Sequence, residues 1–210
     1  MKKFFHTLCA SLLLATSAGA CAQGGPPLFQ IAGFRSAHFG MTQAEVRAAI
    51  ERDFKPAADA VSVIENPLEK TSIVVVRLAR LEPGPTPATV SYIIGATSRK
   101  LMHVNVVWST GPAPTTPVRT AIAVAGVQLA DYFRAQRWRP NATTAGARDP
   151  HRGLVLFAGI DGRNAAVEVR VAGVAMPGDA ATVLDPASPA QLVVTYVADV
   201  NRPDIVTAKP

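Results

Sequence analysis

The side chains that could do chemistry are few and far apart in this chain of 210 residues. Three histidines, His38, His103 and His151, follow the first twenty residues, and their spacing does not match that of metal ligands on one helix. Asp149 and His151 share one loop, but no Gly-x-Ser-x-Gly nucleophile motif accompanies them. We therefore expect neither a metal site nor a serine-hydrolase triad. The alternation around His103 predicts that this histidine faces solvent from a strand.

Cofactor motifs are missing as well. The chain contains neither a Walker sequence nor a Gly-x-Gly-x-x-Gly fingerprint, so we predict no nucleotide cofactor and assign no catalytic, cofactor-binding or metal residue. A pair of acids that are distant in the sequence could still meet in the fold. A hydrolase whose site is not visible in the sequence therefore stays as an alternative.

One cluster of basic and aromatic residues lies at the end of the second predicted helix: Arg134, Arg137, Trp138 and Arg139. The favoured interpretation is that the cations stabilise the helix C-terminus while Trp138 folds onto the core. The alternative is an interaction patch, since Trp and Arg are enriched in interface hot spots.

Residues 1–20 have the organisation of an export signal, with Lys2 and Lys3 ahead of an apolar run. Two modes of cleavage are open. Ala18-Gly19-Ala20 fits ordinary signal peptidase, whereas the same residues followed by Cys21 are similar to a bacterial lipobox, in which that cysteine is acylated. We expect a periplasmic protein, and lipidation of Cys21 would make it an outer-membrane lipoprotein.

Cleavage would leave Cys21 as the single cysteine, so no internal disulfide could support the fold. The signal carries two Lys and no acid, and its removal lowers the net charge from +6 to +4. This mild charge and the export signal argue against a nucleic-acid partner. We assign 21–36 to a flexible tether and 201–210 to a C-terminal tail.

Hydrophobic periodicity between these segments predicts one compact α+β domain, 37–200, with two pseudo-repeats, 37–110 and 116–200. In the first, Thr42 and Glu45 have the spacing of a capping box, and a helix runs on to Phe54. Three strands are predicted to follow it: Thr71–Leu81, Ala88–Gly95 and Leu101–Trp108.

The second pseudo-repeat begins at Thr116 with Pro117 in the first turn of a helix that Pro140 ends. Its strands are predicted at Gly153–Ile160, Asn164–Val174 and Gln191–Val200, with an Asp161-Gly162 turn joining the first two. The expected architecture is a helix followed by three antiparallel strands, given twice, with both helices packed on antiparallel sheet. One continuous sheet and two small sheets are both open.

The segment Phe39-Gly40-Met41-Thr42, with Val46, resembles the helix opening of the SmpA/OmlA family. The hairpin from Val90 to Trp108 is similar in placement to the one in that family. The resemblance implies a small outer-membrane lipoprotein that assists β-barrel assembly, with a helix on a three-stranded sheet. The β-lactamase inhibitor protein family, whose fold is a tandem of a related unit, resembles the doubled pattern.

Taken together, these features predict an exported, non-catalytic protein of the cell envelope that acts as a binding or assembly module. Its expected partner is an envelope protein, and Cys21 offers a membrane anchor. A soluble periplasmic inhibitor or ligand-binding domain is the alternative from a second class.

Overall fold

A computed structural model describes residues 27–149, 152–176 and 185–206. The two helices are α1, Gln43–Phe54, and α2, Thr116–Arg134. The strands are β1 Gly33–Phe34, β2 Ala37–His38, β3 Val61–Asn66, β4 Thr71–Leu78, β5 Ala88–Ile94, β6 Leu101–Ser109, β7 Thr143–Thr144, β8 Arg148–Asp149, β9 Gly153–Ile160, β10 Ala166–Ala172 and β11 Gln191–Val197.

The predicted capping box at the start of α1 is confirmed. The hydroxyl of Thr42 accepts from the backbone N–H of Glu45, and the Glu45 carboxylate accepts from the backbone N–H of Thr42 at 2.7 Å. These reciprocal bonds satisfy two donors that a helix start leaves unpaired. The helix ends where predicted, with Lys55 in the left-handed region at φ 44° just before Pro56.

Nine of the strands form one antiparallel sheet in the order β3-β4-β5-β6-β11-β10-β9-β7, with β8 also pairing with β9. The two halves of the chain meet in the middle of this sheet, where β6 pairs with β11 along its length. The short strands β1 and β2 form a separate hairpin.

The predicted fold class, a helix followed by three strands and given twice, is wrong. The structure is mostly antiparallel sheet, with nine strands in one sheet, two in another, and only two helices in the described part of the chain. The first half adds β3 ahead of the expected strands, and the second adds β7 and β8. The sequence gives little sign of β7 and β8, because they carry no apolar residue and form through backbone pairing with β9.

Both helices lie against the same face of the large sheet. Gly126 of α2 sits so close to β10 that an added Cβ would lie 2.6 Å from Val171 Cγ1. On α1, Gln43 Oε1 accepts from the hydroxyl of Ser72 at 3.1 Å. The register places Ser72 and Val171 on one side of the sheet, together with the buried Val90, Val106 and Val194. This side carries the core.

The chain enters the fold earlier than residue 37. The backbone N–H of Phe29 donates to the carbonyl of Arg137 at 2.8 Å, and that of Ile31 donates to the carboxylate of Asp161 at 2.9 Å. Of the 21–36 segment that the sequence assigns to a tether, residues 29–31 are therefore fastened to the domain. Cys21 and residues 1–20 lie outside the described residues.

Candidate binding face of the sheet

The side of the nine-stranded sheet opposite the helices, which we call the open face, carries no helix in the described part of the chain. Strand residues alternate between the two sides, so every second side chain of β4, β5, β6, β11, β10 and β9 points onto it. Many of these side chains are partly exposed, in contrast to their buried neighbours on the helix side. The open face is thus a broad structured surface, and the C-terminal residues Pro203 and Ile205 adjoin one end of it.

A line of polar side chains crosses the middle of the open face. The register places four residues directly opposite one another on successive strands: Ser91, Asn105, Thr195 and Glu168. The hydroxyl of Thr195 donates to Oδ1 of Asn105 at 2.8 Å. Facing side chains in neighbouring strands lie about 5 Å apart, so this polar row is continuous.

Aliphatic side chains flank the polar row. On one side Ile93 and Val197 neighbour His103 in the register, and on the other Val107 faces Val193. The open face therefore has a polar centre between apolar strips. This mixture suits protein recognition, because interfaces combine apolar contact area with about one hydrogen bond per 100–200 Å².

His103 lies beside the polar row, on the side of β6 away from the core as the alternation predicted, but it is half-buried there. Its Nε2 lies 3.0 Å from Oδ1 of Asn105, so this ring nitrogen donates the hydrogen bond. Burial lowers the pKa of His103, against the opposing effects of Asn105 and Glu69. The imidazole is consequently neutral at pH 7 and presents no charge to a partner.

Two opposite charges on the open face are paired with each other. The guanidinium of Arg170 bonds to the carboxylate of Glu168, and both side chains are mostly shielded from solvent. Partial burial makes such a pair harder to break than one on an exposed surface. A partner that binds here would therefore contact a neutralised ion pair and not an unpaired charge.

Two hollows adjoin the polar row, and His103 lines both. One, of about 480 Å³, lies over β9 and β10, with Ala158, Ala166 and Ile160 in its lining. The other, of about 340 Å³, lies beside the C-terminal segment and includes Asn105. Small side chains such as Ala158 and Ala166 leave room for the first hollow.

His103 and Glu168, the histidine and the carboxylate on this face, are not bonded to each other. His103 is on β6 and Glu168 on β10, with β11 between them, so their backbones are about 10 Å apart. Each side chain also has its own partner, Asn105 for the histidine and Arg170 for the glutamate. Both line the hollow of about 480 Å³, but no hydrogen bond joins the two side chains to each other or to a shared group. His38 is exposed on β2, and His151 lies outside the described residues.

Metal ligands do not converge in the described ranges either. Residues 27–149, 152–176 and 185–206 hold no group of three or more His, Cys, Asp or Glu side chains that could bind an ion. Neither helix among these residues is long and apolar enough to cross a membrane.

The structure brings the basic and aromatic cluster together at the end of α2 and gives most of it intramolecular partners. Trp138 donates from Nε1 to the carbonyl of Phe133 at 2.7 Å and packs against the rings of Phe29 and Phe157. Arg134 donates to the carbonyl of Leu156 at 2.6 Å and pairs with Asp131.

The remaining two members of this cluster differ from each other. Arg139 donates to the carbonyl of Asp161 at 3.1 Å. The side chain of Arg137 is exposed. These contacts agree with cations at a helix C-terminus and an indole on the core, whereas a role of the cluster as an interaction patch stays a prediction.

One buried carboxylate was not singled out by sequence reasoning. The side chain of Asp161 is fully buried and accepts backbone hydrogen bonds from Ile31, Arg163 and Ala165 at 2.7–3.0 Å. Its Asp-Gly turn was the available signal, but the sequence could not show that Ile31, 130 residues away, would bind there. Because its oxygens are occupied by backbone donors, Asp161 serves the fold and not a reaction.

In comparisons with known proteins, no family model, no curated protein and no solved structure matches this chain.

Proposed function

We propose that this chain is an exported protein of the cell envelope that binds another envelope protein on its open face and catalyses no reaction there. The observation that carries the proposal is the one-sided packing of the large sheet. Both helices cover one side, while the other exposes a polar row between aliphatic strips. Antiparallel sheets commonly leave one side in water, so the aliphatic strips on this side are the feature that favours a contact with a partner.

The open face is large enough for a specific contact. Its six longer strands, β4 to β6 and β9 to β11, span about 25 Å across the sheet and about 24 Å along the strands. The projected area is about 600 Å², which approaches the ~800 Å² that one partner contributes to an interface of standard size. Side-chain relief and the loops at the rim would add to this area.

Binding is supported over catalysis by the way the polar groups are used. His103 and Thr195 both bond to Oδ1 of Asn105, and Arg170 bonds to Glu168. Groups that are already oriented by their neighbours are suited to recognition, because little side-chain entropy is lost when a partner docks. A reacting group would instead need a free proton-accepting or nucleophilic atom in a cleft.

The envelope location rests on the sequence. Lys2, Lys3 and the apolar run that follows support export, and Cys21 offers an acylation site. The resemblance of Phe39–Thr42 to the SmpA/OmlA helix opening supports the same compartment. In this proposal the partner is a protein of the envelope, and acylated Cys21 would hold the domain close to a membrane.

The test places a photo-crosslinking amino acid at Val107 on the open face of the full chain, expressed in its native cell. The matched control carries the same group at Gln128, which is exposed on α2. We expect a discrete protein adduct from position 107 and none from 128. Adducts from position 128 alone, or none from either position, would refute binding through the open face.

Mass spectrometry of the mature N-terminus examines the anchoring separately. A diacylated or triacylated Cys21 would support the lipoprotein form. An unmodified terminus at or beyond Cys21 would make the protein soluble in the periplasm and leave the binding proposal standing.

A second candidate, a periplasmic ligand-binding domain, is favoured by the hollow over β9 and β10. Its volume of about 480 Å³ falls within the range of small-molecule sites, about 300–1,000 Å³. Filling it with Ala158→Trp would abolish binding of a small molecule there. The same change would leave crosslinking from position 107 intact if the partner is a protein that contacts the centre of the face.

A further inference from the structure

The exposed sides of the two helices differ in charge. The exposed residues of α1 include Glu45, Arg47, Glu51 and Arg52, which is usual for a helix side in contact with water. On α2 every exposed residue up to Gln128 is uncharged: Thr116, Pro117, Thr120, Val124, Val127 and Gln128. The outer side of α2 is therefore unlike that of a helix that faces only water.

Large apolar side chains are exposed on the outer side of α2, and a tyrosine lies near its end. Val124 is 50% exposed, Val127 37% and Tyr132 56%. A hollow of about 430 Å³ adjoins the two valines, and its described lining, which includes Ala123 and Met176, is uncharged. Tyrosine is enriched at the level of lipid headgroups, because its ring is apolar and its hydroxyl is polar.

Positive charge follows at the C-terminal end of the same helix. The arginines of the basic and aromatic cluster lie here, and the neighbouring acid, Asp131, pairs with Arg134 at 2.6 Å. The side chain of Arg137 is exposed. Basic residues next to a membrane are attracted to anionic headgroups. An apolar helix side with arginines beside it matches the composition of a helix that lies on a membrane surface.

The chain that leads from Cys21 enters the fold at this end of α2. The backbone N–H of Phe29 donates to the carbonyl of Arg137, and its ring lies 6.2 Å from that of Phe133 on α2. Phe29 is eight positions after Cys21, so the connecting chain spans at most about 28 Å. The 19 residues of α2 are also about 28 Å long. A bilayer that holds Cys21 is thus within reach of the outer side of α2.

We propose that the outer side of α2, with Val124, Val127, Tyr132 and Arg137, lies against the anionic lipid bilayer to which Cys21 anchors the chain. This inference rests on the lipid anchor of the proposed function and not on its protein partner. The contact needs little affinity of its own, because a short tether keeps the surface at an effective concentration of about millimolar. The valines face the boundary between headgroups and acyl chains, and Arg137 contacts the phosphates.

This contact would orient the protein for its partner. α2 covers the side of the large sheet opposite the open face. When the outer side of α2 lies on the bilayer, the open face consequently points away from it. A protein of the envelope could then reach the polar row without competition from lipid.

The experiment uses the mature chain, residues 21–210, which includes all of the described residues and has Cys21 as its only cysteine. A maleimide phospholipid couples to this thiol and attaches the chain to vesicles where acyl chains would. The vesicles contain phosphatidylcholine with cardiolipin, or phosphatidylcholine alone. A photo-crosslinking amino acid replaces Val127, and the matched control carries it at Val107 on the open face. Mass spectrometry measures the lipid adducts.

We expect a several-fold higher yield of lipid adduct from position 127 than from position 107 on the vesicles with cardiolipin. Circular dichroism checks that the substituted chains fold, and Val124, which is more exposed than Val127, provides a second position. Equal yields from positions 107 and 127, or no adduct from either 124 or 127, would overturn the proposal.

Charge reversal tests the basic end of the surface. Arg137→Glu should lower the adduct yield from position 127 on cardiolipin vesicles several-fold, since each basic residue near an anionic surface contributes about five-fold in binding. Arg47→Glu on the exposed side of α1 is the control and should leave the yield unchanged. Equal effects of the two variants would overturn the contact of Arg137 with the headgroups.

The chemical attachment separates this inference from the proposed function. The vesicle result does not depend on acylation in the cell, which the mass of the mature N-terminus reports. It does not depend on the protein partner either, which crosslinking from position 107 in the native cell reports. An unmodified Cys21 in the cell would refute the anchor, whereas equal lipid adducts from positions 107 and 127 would refute the surface.

Discussion

Nη1 of Arg119 donates to the carbonyl of Gly173 across 2.6 Å, and this bond joins α2 to the end of β10. The same guanidinium donates to the carbonyls of Pro186 and Ser188 at 2.9 and 2.8 Å, ahead of β11. Although Arg119 is charged, it is only 9% exposed. A single side chain thus fastens the two ends of the long connection between the last two strands.

Replacement of this guanidinium should destabilise the fold. Arg119→Met keeps most of the length of the side chain but leaves three part-buried carbonyls without this donor, at a cost of about 1–3 kcal/mol in the free energy of unfolding. Urea denaturation measures this cost. Arg47→Met on the exposed side of α1 is the control and should change stability by less than about 0.5 kcal/mol. Similar losses from both variants would contradict the anchoring role.

Gly126 packs so closely against the sheet that a side chain of even one methyl group should clash with its neighbours. An added Cβ would lie 2.6 Å from Val171 Cγ1 and 2.9 Å from Leu156 Cδ1. Alanine would gain about 1 kcal/mol in helix propensity, but overpacking costs about 1–3 kcal/mol. We expect Gly126→Ala to lower the melting temperature, as measured by circular dichroism. Gly162→Ala has open space around its Cβ and serves as the comparison, and a rise in melting temperature for Gly126→Ala would show that α2 packs less closely.

Substitutions of Trp138 and Arg137 test whether the cluster at the end of α2 stabilises the fold or contacts a partner. Trp138→Ala should cost about 3–5 kcal/mol, because the indole packs between Phe29 and Phe157 and bonds to the carbonyl of Phe133. Arg137→Ala should leave stability within about 0.5 kcal/mol of the parent chain, since its side chain is exposed. Thermal unfolding measures both. If Arg137→Ala lowers partner capture without loss of stability, the cluster is an interaction patch.

His103 gives the fold a dependence on pH near neutrality. Burial lowers its pKa in the folded state, so on acidification the unfolded chain binds its proton first. The stability that the neutral imidazole contributes is therefore complete above about pH 6.5 and declines as the pH falls below that value. His103→Gln should reduce this decline, measured by urea unfolding at about pH 5 and about pH 8. An NMR titration midpoint for His103 at or above its ordinary value would contradict the predicted shift.

Asp204 fastens the C-terminal segment to the β5–β6 turn. Its carboxylate accepts from the backbone N–H groups of Thr97 and Ser98 at 2.9 and 2.8 Å, and the bonds to Ser98 and Thr97 lower its pKa to about 2. Because the pKa is lowered on folding, this stability is present above about pH 4 and is lost as the pH falls through about 2.

Asp204→Ala should therefore destabilise the protein by about 1 kcal/mol at pH 7, a modest figure because the site is near solvent. Urea unfolding measures this loss, and it should shrink as the pH approaches 2. Asp59→Ala, in the exposed 3₁₀ turn before β3, is the control and should have little effect at either pH. A loss that stays constant with pH would mean that the carboxylate charge is not the cause.

The sequence by itself determined those structural features that depend only on residues close together in the chain. The capping box of Thr42 and Glu45 sets the start of α1, and the alternation of Val104 and Val106 with His103 sets the two sides of β6. The span of β9 was predicted to the residue, since its apolar run is bounded by a turn. These features depend on neighbours in the chain, so they are visible without the fold.

Tertiary structure decided everything that depends on pairing between distant segments. β7 and β8 carry no apolar pattern and exist because β9 offers them free backbone groups, and β3 exists as a strand because β4 pairs with it. The pairing of β6 with β11 joins the strands of the two halves into one sheet, and this continuous sheet provides the open face. The sequence was equally consistent with two separate small sheets. The physical reason is that hydrogen bonds between strands are made by the backbone, which is the same at every residue, so the sequence cannot name their partners.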